Sequence, residues 1–188
     1  PEHCPVCAAG VVAAGAYHKC PNRLGCPAQI HGSIRHYASR GALDIEGLGD
    51  KTIATFLEKG LITDLASLYR LSGEKIASLD GFGELSARNL LNAIDRSKKP
   101  ELDRFLYGLG IPNVGEKTAS DIAKAFGSFE AIRKAGLDQL LSVNGVGPIV
   151  AQSIVDFFDN PSISEALDRL LVEVKPRRAA AAEVPRAE

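Results

Sequence analysis

Gly47-Leu48-Gly49, Gly81-Phe82-Gly83, Asn113-Val114-Gly115 and Gly145-Val146-Gly147 are four copies of one short signal. Their last glycines lie 34, 32 and 32 residues apart, the interval of a repeated supersecondary unit. The flanks keep the same register. Ile45, Leu79, Ile111 and Val143 stand four residues before the last glycine; Ile53, Ala87, Ala119 and Ala151 stand four after it, and Phe56, Leu90, Ile122 and Ile154 seven after it. Positions four and seven beyond the glycine share one face of a helix. Each unit therefore reads as a short apolar helix, a tight turn and a second, amphipathic helix.

Glycine lacks a Cβ and tolerates positive φ, so the turn glycines, Gly49 and Gly115 among them, are expected in left-handed-prone turns whose successive N–H groups form a nest. At a helix N-terminus such a nest favours phosphate without demanding Lys or Arg. A lone Gly-x-Gly before a helix is commonly just a turn that lets two helices pack closely, but four copies in register point to an anion site. A dinucleotide fingerprint is disfavoured, because it needs a preceding strand and three glycines. The four turns are not equivalent. Gly47 and Gly49 are followed by Lys51 and Thr52; Asn113 and Gly115 by Lys117 and Thr118, with Asn the residue that best replaces glycine at positive φ. Gly81 and Gly83 precede Ser86 and Arg88. Gly145 and Gly147 precede Pro148, which suits a first helical position but supplies no N–H, so the fourth turn is expected to bind phosphate least.

Ahead of the repeats, Cys4, Cys7, Cys20 and Cys26 give the spacing C-x2-C-x12-C-x5-C, and no other cysteine occurs. Two close pairs joined by a short loop suit a tetrahedral Zn²⁺ site. The segment has few large apolar residues, so it needs a staple. Two disulfides or an iron or redox site are the alternatives; nothing marks a secreted chain, which weighs against the disulfides. Four thiolates leave no open position, so the metal is read as structural. His3, His18 and His31 are read as surface or packing residues. The finger and the repeats are expected to have separate cores.

The 188 residues carry 22 Lys+Arg against 23 Asp+Glu, a net charge of −1. That charge argues against a broad basic face as the means of binding nucleic acid. The charge is nevertheless uneven: residues 1–42 hold four bases and one acid, a balance of +3. No run of about 18 apolar residues could cross a bilayer, and no secretory signal opens the chain, so a cytoplasmic protein is expected. The chain begins at Pro1 and has no Met, which reads as a piece of a longer polypeptide. The expected organisation is a Cys4 finger over 1–32, then the four repeats over 33–174 in two pairs (33–97 and 98–174), and a linker-like tail over 175–188 leading to another domain. Between the pairs, Asp95-Arg96-Ser97-Lys98-Lys99-Pro100 reads as a polar hinge.

The repeated turn resembles the helix-hairpin-helix motif, a sequence-independent binder of the DNA backbone. Together with the finger, Ala42-Leu43-Asp44-Ile45-Glu46-Gly47-Leu48-Gly49, Ser97-Lys98-Lys99-Pro100 and Gly108-Leu109-Gly110-Ile111-Pro112-Asn113-Val114-Gly115, it resembles the zinc-finger and helix-hairpin-helix region of bacterial NAD-dependent DNA ligase, from Pro1 to about Val174. The resemblance implies an all-α fold and one structural Zn²⁺ on Cys4, Cys7, Cys20 and Cys26. It also implies four hairpins that grip duplex DNA, nicked DNA included, by the backbone. In that family an upstream adenylation domain attacks NAD⁺ through the lysine of Lys-x-Asp-Gly; OB-fold and BRCT domains complete the enzyme, which acts in replication and repair. The nearest match here, Ser78-Leu79-Asp80-Gly81, has serine at the nucleophile position. No catalytic residue is therefore assigned to this chain, and a monomer is expected. The rival readings are a DNA-binding module of a non-ligase repair or junction-processing protein, and a protein-docking scaffold.

Overall fold

Ahead of Ile30 the chain forms a ribbon, β1 (Val12–Ala14) paired antiparallel with β2 (Tyr17–Lys19) around Gly15, a single bridge between His3 and Gly10, and a 3-10 turn at Arg23–Gly25. The rest of the computed structural model, which describes residues 1–179, is helical. Its helices are α1 (Ile30–Ala38), α2 (Asp50–Glu58), α3 (Gly73–Ala77), α4 (Glu84–Arg96) and α5 (Leu102–Gly108), followed by α6 (Glu116–Phe126), α7 (Phe129–Arg133), α8 (Leu137–Leu141), α9 (Pro148–Asp159) and α10 (Pro161–Glu173). No helix among the described residues is long and apolar enough to cross a membrane.

The four hairpins are α1–α2, α3–α4, α5–α6 and α8–α9, each packed as a pair. The repeat register accounts for the packing. All eight residues at the two positions after the glycine, from Ile53 and Phe56 to Ala151 and Ile154, are 3% exposed or less. Alanine at the nearer position in three of the units lets the second helix sit close to its partner. The middle residue of three turns, Leu48, Val114 and Val146, is also buried; the fourth, Phe82, stacks against Phe56 at 5.9 Å and so ties the second turn to α2.

The finger shares the core of the repeats, contrary to the expectation of separate cores. Leu24 and Ile30 belong to the same buried cluster as α9 and α10. The 3-10 turn lies against the start of α10, where a Cβ at Gly25 would come within 2.7 Å of Ser162 Cβ. Asn22, itself buried, donates from Nδ2 to Ser162 Oγ (3.2 Å) and accepts at Oδ1 from Asn160 Nδ2 (2.8 Å). Asn160 Oδ1 in turn caps α10 by accepting from the Ser162 N–H (3.0 Å).

The segment between the pairs is also tied down. Ser97 is 4% exposed; its hydroxyl donates to Ile94 O (2.6 Å) and lies 2.7 Å from Tyr69 Oη, which lies 2.7 Å from Tyr37 Oη. Burial pushes both tyrosine pKa values up, so the chain stays a run of neutral hydroxyls. Tyr69→Phe removes the middle member and leaves the buried Tyr37 hydroxyl without its partner. Urea melts are expected to show a loss of about 1–3 kcal/mol, the range for orphaning a buried polar group. A loss near zero would mean that water reaches Tyr37.

Of the expected tail, residues 175–179 run beside this same segment: Lys175 N–H donates to Lys98 O (2.8 Å), Arg177 N–H to Pro100 O (2.8 Å) and Ala179 N–H to Gly127 O (3.0 Å). Val174 just ahead of them is fully buried. Residues 180–188 lie outside the described part.

Candidate metal centre and nucleic-acid interface

The four cysteines converge. The Sγ atoms of Cys4 and Cys26 are 4.0 Å apart, those of Cys7 and Cys20 are 3.5 Å apart, and all four lie within 4.8 Å of one another. A tetrahedron with metal–sulfur bonds of about 2.3 Å has S···S edges of roughly 3.8 Å, whereas a disulfide requires about 2.05 Å. The spacing is that of a metal cage.

The local backbone makes this geometry. Cys4 O accepts from the Ala8 N–H (2.9 Å), and Ala8 turns the knuckle at φ 60°. The carbonyl of Cys20 is held by Gln29 Nε2 (3.1 Å), and Asn22 Nδ2 donates to Cys7 Sγ (3.6 Å). Without a cation the thiols are unlike: backbone N–H groups of Cys7 and Val6 lower Cys4 to about 7, while burial pushes Cys20 up to about 12. A dication at the centre removes that asymmetry, because a coordinating thiol is held as thiolate. No histidine joins the cluster among the described residues; His31 instead lies 3.1 Å from Asp50 Oδ1.

The turns deliver one geometry four times. Gly47, Gly81, Asn113 and Gly145 have φ of 88°, 85°, 66° and 87°. Asn113 holds the left-handed conformation expected of it and donates from Nδ2 to Ser153 Oγ on α9 (2.9 Å). The second glycines differ from expectation. Gly49, Gly83, Gly115 and Gly147 are extended, with φ between −127° and −88°, and each is the N-cap of the helix that follows. Only the first position carries positive φ, because a single left-handed residue suffices to reverse the chain before the helix starts.

This leaves the second glycines without an internal reason. Any residue can adopt their φ, and a Cβ at each would meet nothing within 4 Å. The first backbone donors back into the turns are Ile53, Ala87, Ala119 and Ala151, bonded to the glycine carbonyls at 2.9–3.0 Å. Among the described residues, the N–H groups of the glycine and the next residues thus have no backbone acceptor, with Pro148 contributing none in the fourth turn.

The turns also come in adjacent pairs. Glu46 and Gly47 of the first turn and Phe82, Ser86 and Asn89 of the second hairpin line one groove of about 550 Å³. In the second pair the link is Asn113 to Ser153. Among the side chains expected to help, Lys51, Ser86 and Arg88 are exposed and make no ion pair among the described residues; Thr52 and Thr118 are half-buried. Lys117 folds onto Asp121 (2.8 Å) while its side chain stays 88% exposed. Asp50, Glu84 and Glu116 open the helices after the first three turns, where a carboxylate would compete with phosphate. Asp50 is drawn aside by the His31 ring (3.1 Å) and the Arg35 guanidinium (3.3 Å), two side chains of α1 that the reading of the first turn did not include.

Comparison with known proteins agrees with this arrangement. Residues 39–96 match the SAM-like helix-hairpin-helix tandem family, and residues 104–167 match the helix-hairpin-helix motif family. The chain is 49% identical over 92% of its length to a DNA ligase of Alkaliphilus oremlandii, of which it covers 26%. It is 51% identical over 90% of its length to a DNA ligase of Marinobacter nauticus, covering 25%, and 47% identical over 94% to DNA ligase 1 of Clostridium acetobutylicum, covering 27%. The chain thus spans about a quarter of the length of the curated relatives it matches. Two helix-hairpin-helix matches behind a four-cysteine cage, with about half identity across nine-tenths of the chain, make it similar to a stretch of these DNA ligases.

Proposed function

We propose that this chain is the DNA-gripping part of an NAD-dependent DNA ligase that seals nicks in duplex DNA during replication and repair, with one structural Zn²⁺ on Cys4, Cys7, Cys20 and Cys26. The ion has no open position and does no chemistry; it holds the ribbon and the Arg23–Gly25 turn against α10. The four turns hold the DNA backbone without reading sequence, and the work of this chain is grip and the positioning of adenylation, OB and BRCT domains in the same cytoplasmic, monomeric enzyme. The observation that carries the reading is the set of second glycines, extended and unobstructed, each beside N–H groups lacking a backbone acceptor. Glycine at such a place has its use outside the chain, where it lets a phosphate approach the backbone.

The test uses the zinc-loaded chain alone. It is expected to bind nicked and intact duplex with little sequence preference. The slope of log affinity against log salt should be about −0.9 per phosphate neutralised, and shallow for the contact area because the donors are neutral. It is expected neither to take up AMP from NAD⁺ nor to close a nick. Absence of duplex binding at low salt would favour a protein-docking scaffold, and covalent AMP on the purified chain would overturn the absence of a nucleophile here.

A further inference from the structure

A second concave site lies away from the glycine turns, where the finger meets α1 and the end of α5. It is a cavity of about 370 Å³ lined by Arg23, Gln29, Gly32, Ser33, His36 and Gly110 among others. No carboxylate lines it. The Arg23 side chain has no hydrogen bond and no ion pair to any described residue, although burial works against its charge. A guanidinium that is partly desolvated and unpaired is costly unless an anion completes it. None of its nitrogens is sealed from solvent, and the side chain lines the cavity, where an anion could reach it.

The walls fit an oxyanion. The Ser33 hydroxyl has no partner among the described residues, and the His36 ring is fixed by its Nε2–H donating to Tyr107 O (2.8 Å). Gly110 sits at φ 70°, and a Cβ there would come within 3.3 Å of an Arg23 terminal nitrogen and 3.6 Å of the His36 ring. Glycine at this point keeps the guanidinium face clear. The planar fork of arginine matches two oxygens of a phosphate, and the hydroxyl supplies a third donor.

We infer that Arg23 and Ser33 form a phosphate-class oxyanion site between the finger, α1 and the third hairpin, separate from the four glycine turns. Two sources offer that chemistry, a phosphodiester of bound duplex and free phosphate. The duplex source rests on the function proposed above; the free-phosphate source does not.

Two variants separate them. Arg23→Gln removes the fork. Gly32→Glu sets a carboxylate at the cavity wall, where a Cβ meets nothing within 4 Å, and it replaces a helical glycine by a better helix former, so folding is not at risk. Zinc content and circular dichroism serve as controls on the full zinc-loaded chain. If the site holds a phosphodiester, both variants weaken duplex binding about 5- to 30-fold, and Arg23→Gln makes the salt slope shallower by about 0.9, one phosphate fewer. If it holds free phosphate, duplex affinity is unchanged. Inorganic phosphate at fixed ionic strength then raises the melting temperature of the parent chain and of neither variant. Duplex affinity and phosphate response both unchanged in correctly folded Gly32→Glu would overturn the site. A parent chain that binds no duplex would defeat the ligase reading alone, since the phosphate arm still decides the site.

Discussion

Stripping the metal is expected to unfold the residues ahead of Ile30 and to reach α10 as well. The apolar content of the finger is small: Leu24 is buried, while Val6, Val12 and Tyr17 are 54%, 51% and 75% exposed. Such a segment folds on its metal, and structural Zn²⁺ in small fingers contributes an apparent free energy of about 10–16 kcal/mol near neutral pH. Loss of the ion frees Asn22 from Cys7 and releases Leu24 from the common core, so the cap of α10 at Asn160 loses a neighbour. Cys26→Ser, or chelation of the parent chain, should therefore increase hydrogen exchange both over residues 1–30 and at the start of α10. The α5–α6 pair should keep its protection, since its two helices pack most extensively on each other. Elemental analysis should find one zinc per chain. Zinc near zero with two intact disulfides would sink the metal assignment; exchange confined to the finger would mean that the Asn22–Ser162 junction transmits nothing.

The helical repeats were legible because a register of four and seven residues beyond each glycine has one solution, a buried helix face, and Ile53, Phe56, Ala119 and Ile122 occupy it. The cage was legible because cysteine spacing carries its own chemistry. Three things were not. Asn22 meets Ser162 and Asn160 across about 140 residues of sequence, and contacts between distant polar side chains leave no local period to read. Residues 175–179 have the composition of a linker, yet their backbone donors bond to Lys98, Pro100 and Gly127. A backbone ladder of that kind is indifferent to side-chain composition. In the first, second and fourth turns the two glycines were also indistinguishable as letters. Only their dihedrals separate the first, which reverses the chain, from the second, which caps a helix.

The alternation of the turns has a further trait that bears on which of them hold DNA. Two residues after the second glycine stand Lys51 and Lys117 in the odd turns but Leu85 and Ile149 in the even ones, the latter 65% and 75% exposed. At the same helical position the odd turns offer a cation and the even turns an apolar side chain. A cation beside a phosphate adds a charge-assisted contact, whereas an apolar side chain suits sugar and groove walls. At this position each adjacent pair of hairpins therefore combines one cation with one apolar side chain.

Gly49→Asp and Gly115→Asp are expected to weaken duplex binding most, and the structure turns these substitutions into clean probes. Both glycines are N-caps in extended conformation with open space where a Cβ would go, so aspartate enters without strain. Aspartate is also among the best N-cap residues and glycine a weaker one, so helicity is expected to hold or rise slightly. The new carboxylate can accept from the N–H groups that would otherwise meet phosphate, and it adds a negative charge at the same point. Loss of a charge-assisted contact together with that repulsion should cost roughly 1–3 kcal/mol, about 5- to 150-fold in affinity. Gly147→Asp should cost less than either, because Pro148 has already removed one donor and Ile149 supplies no charge. Anisotropy titrations on a nicked duplex, paired with circular dichroism, read both quantities. Gly147→Asp emerging as the most damaging of the three, with helicity kept throughout, would show that apolar contact at the fourth turn outweighs the donor count of the first and third.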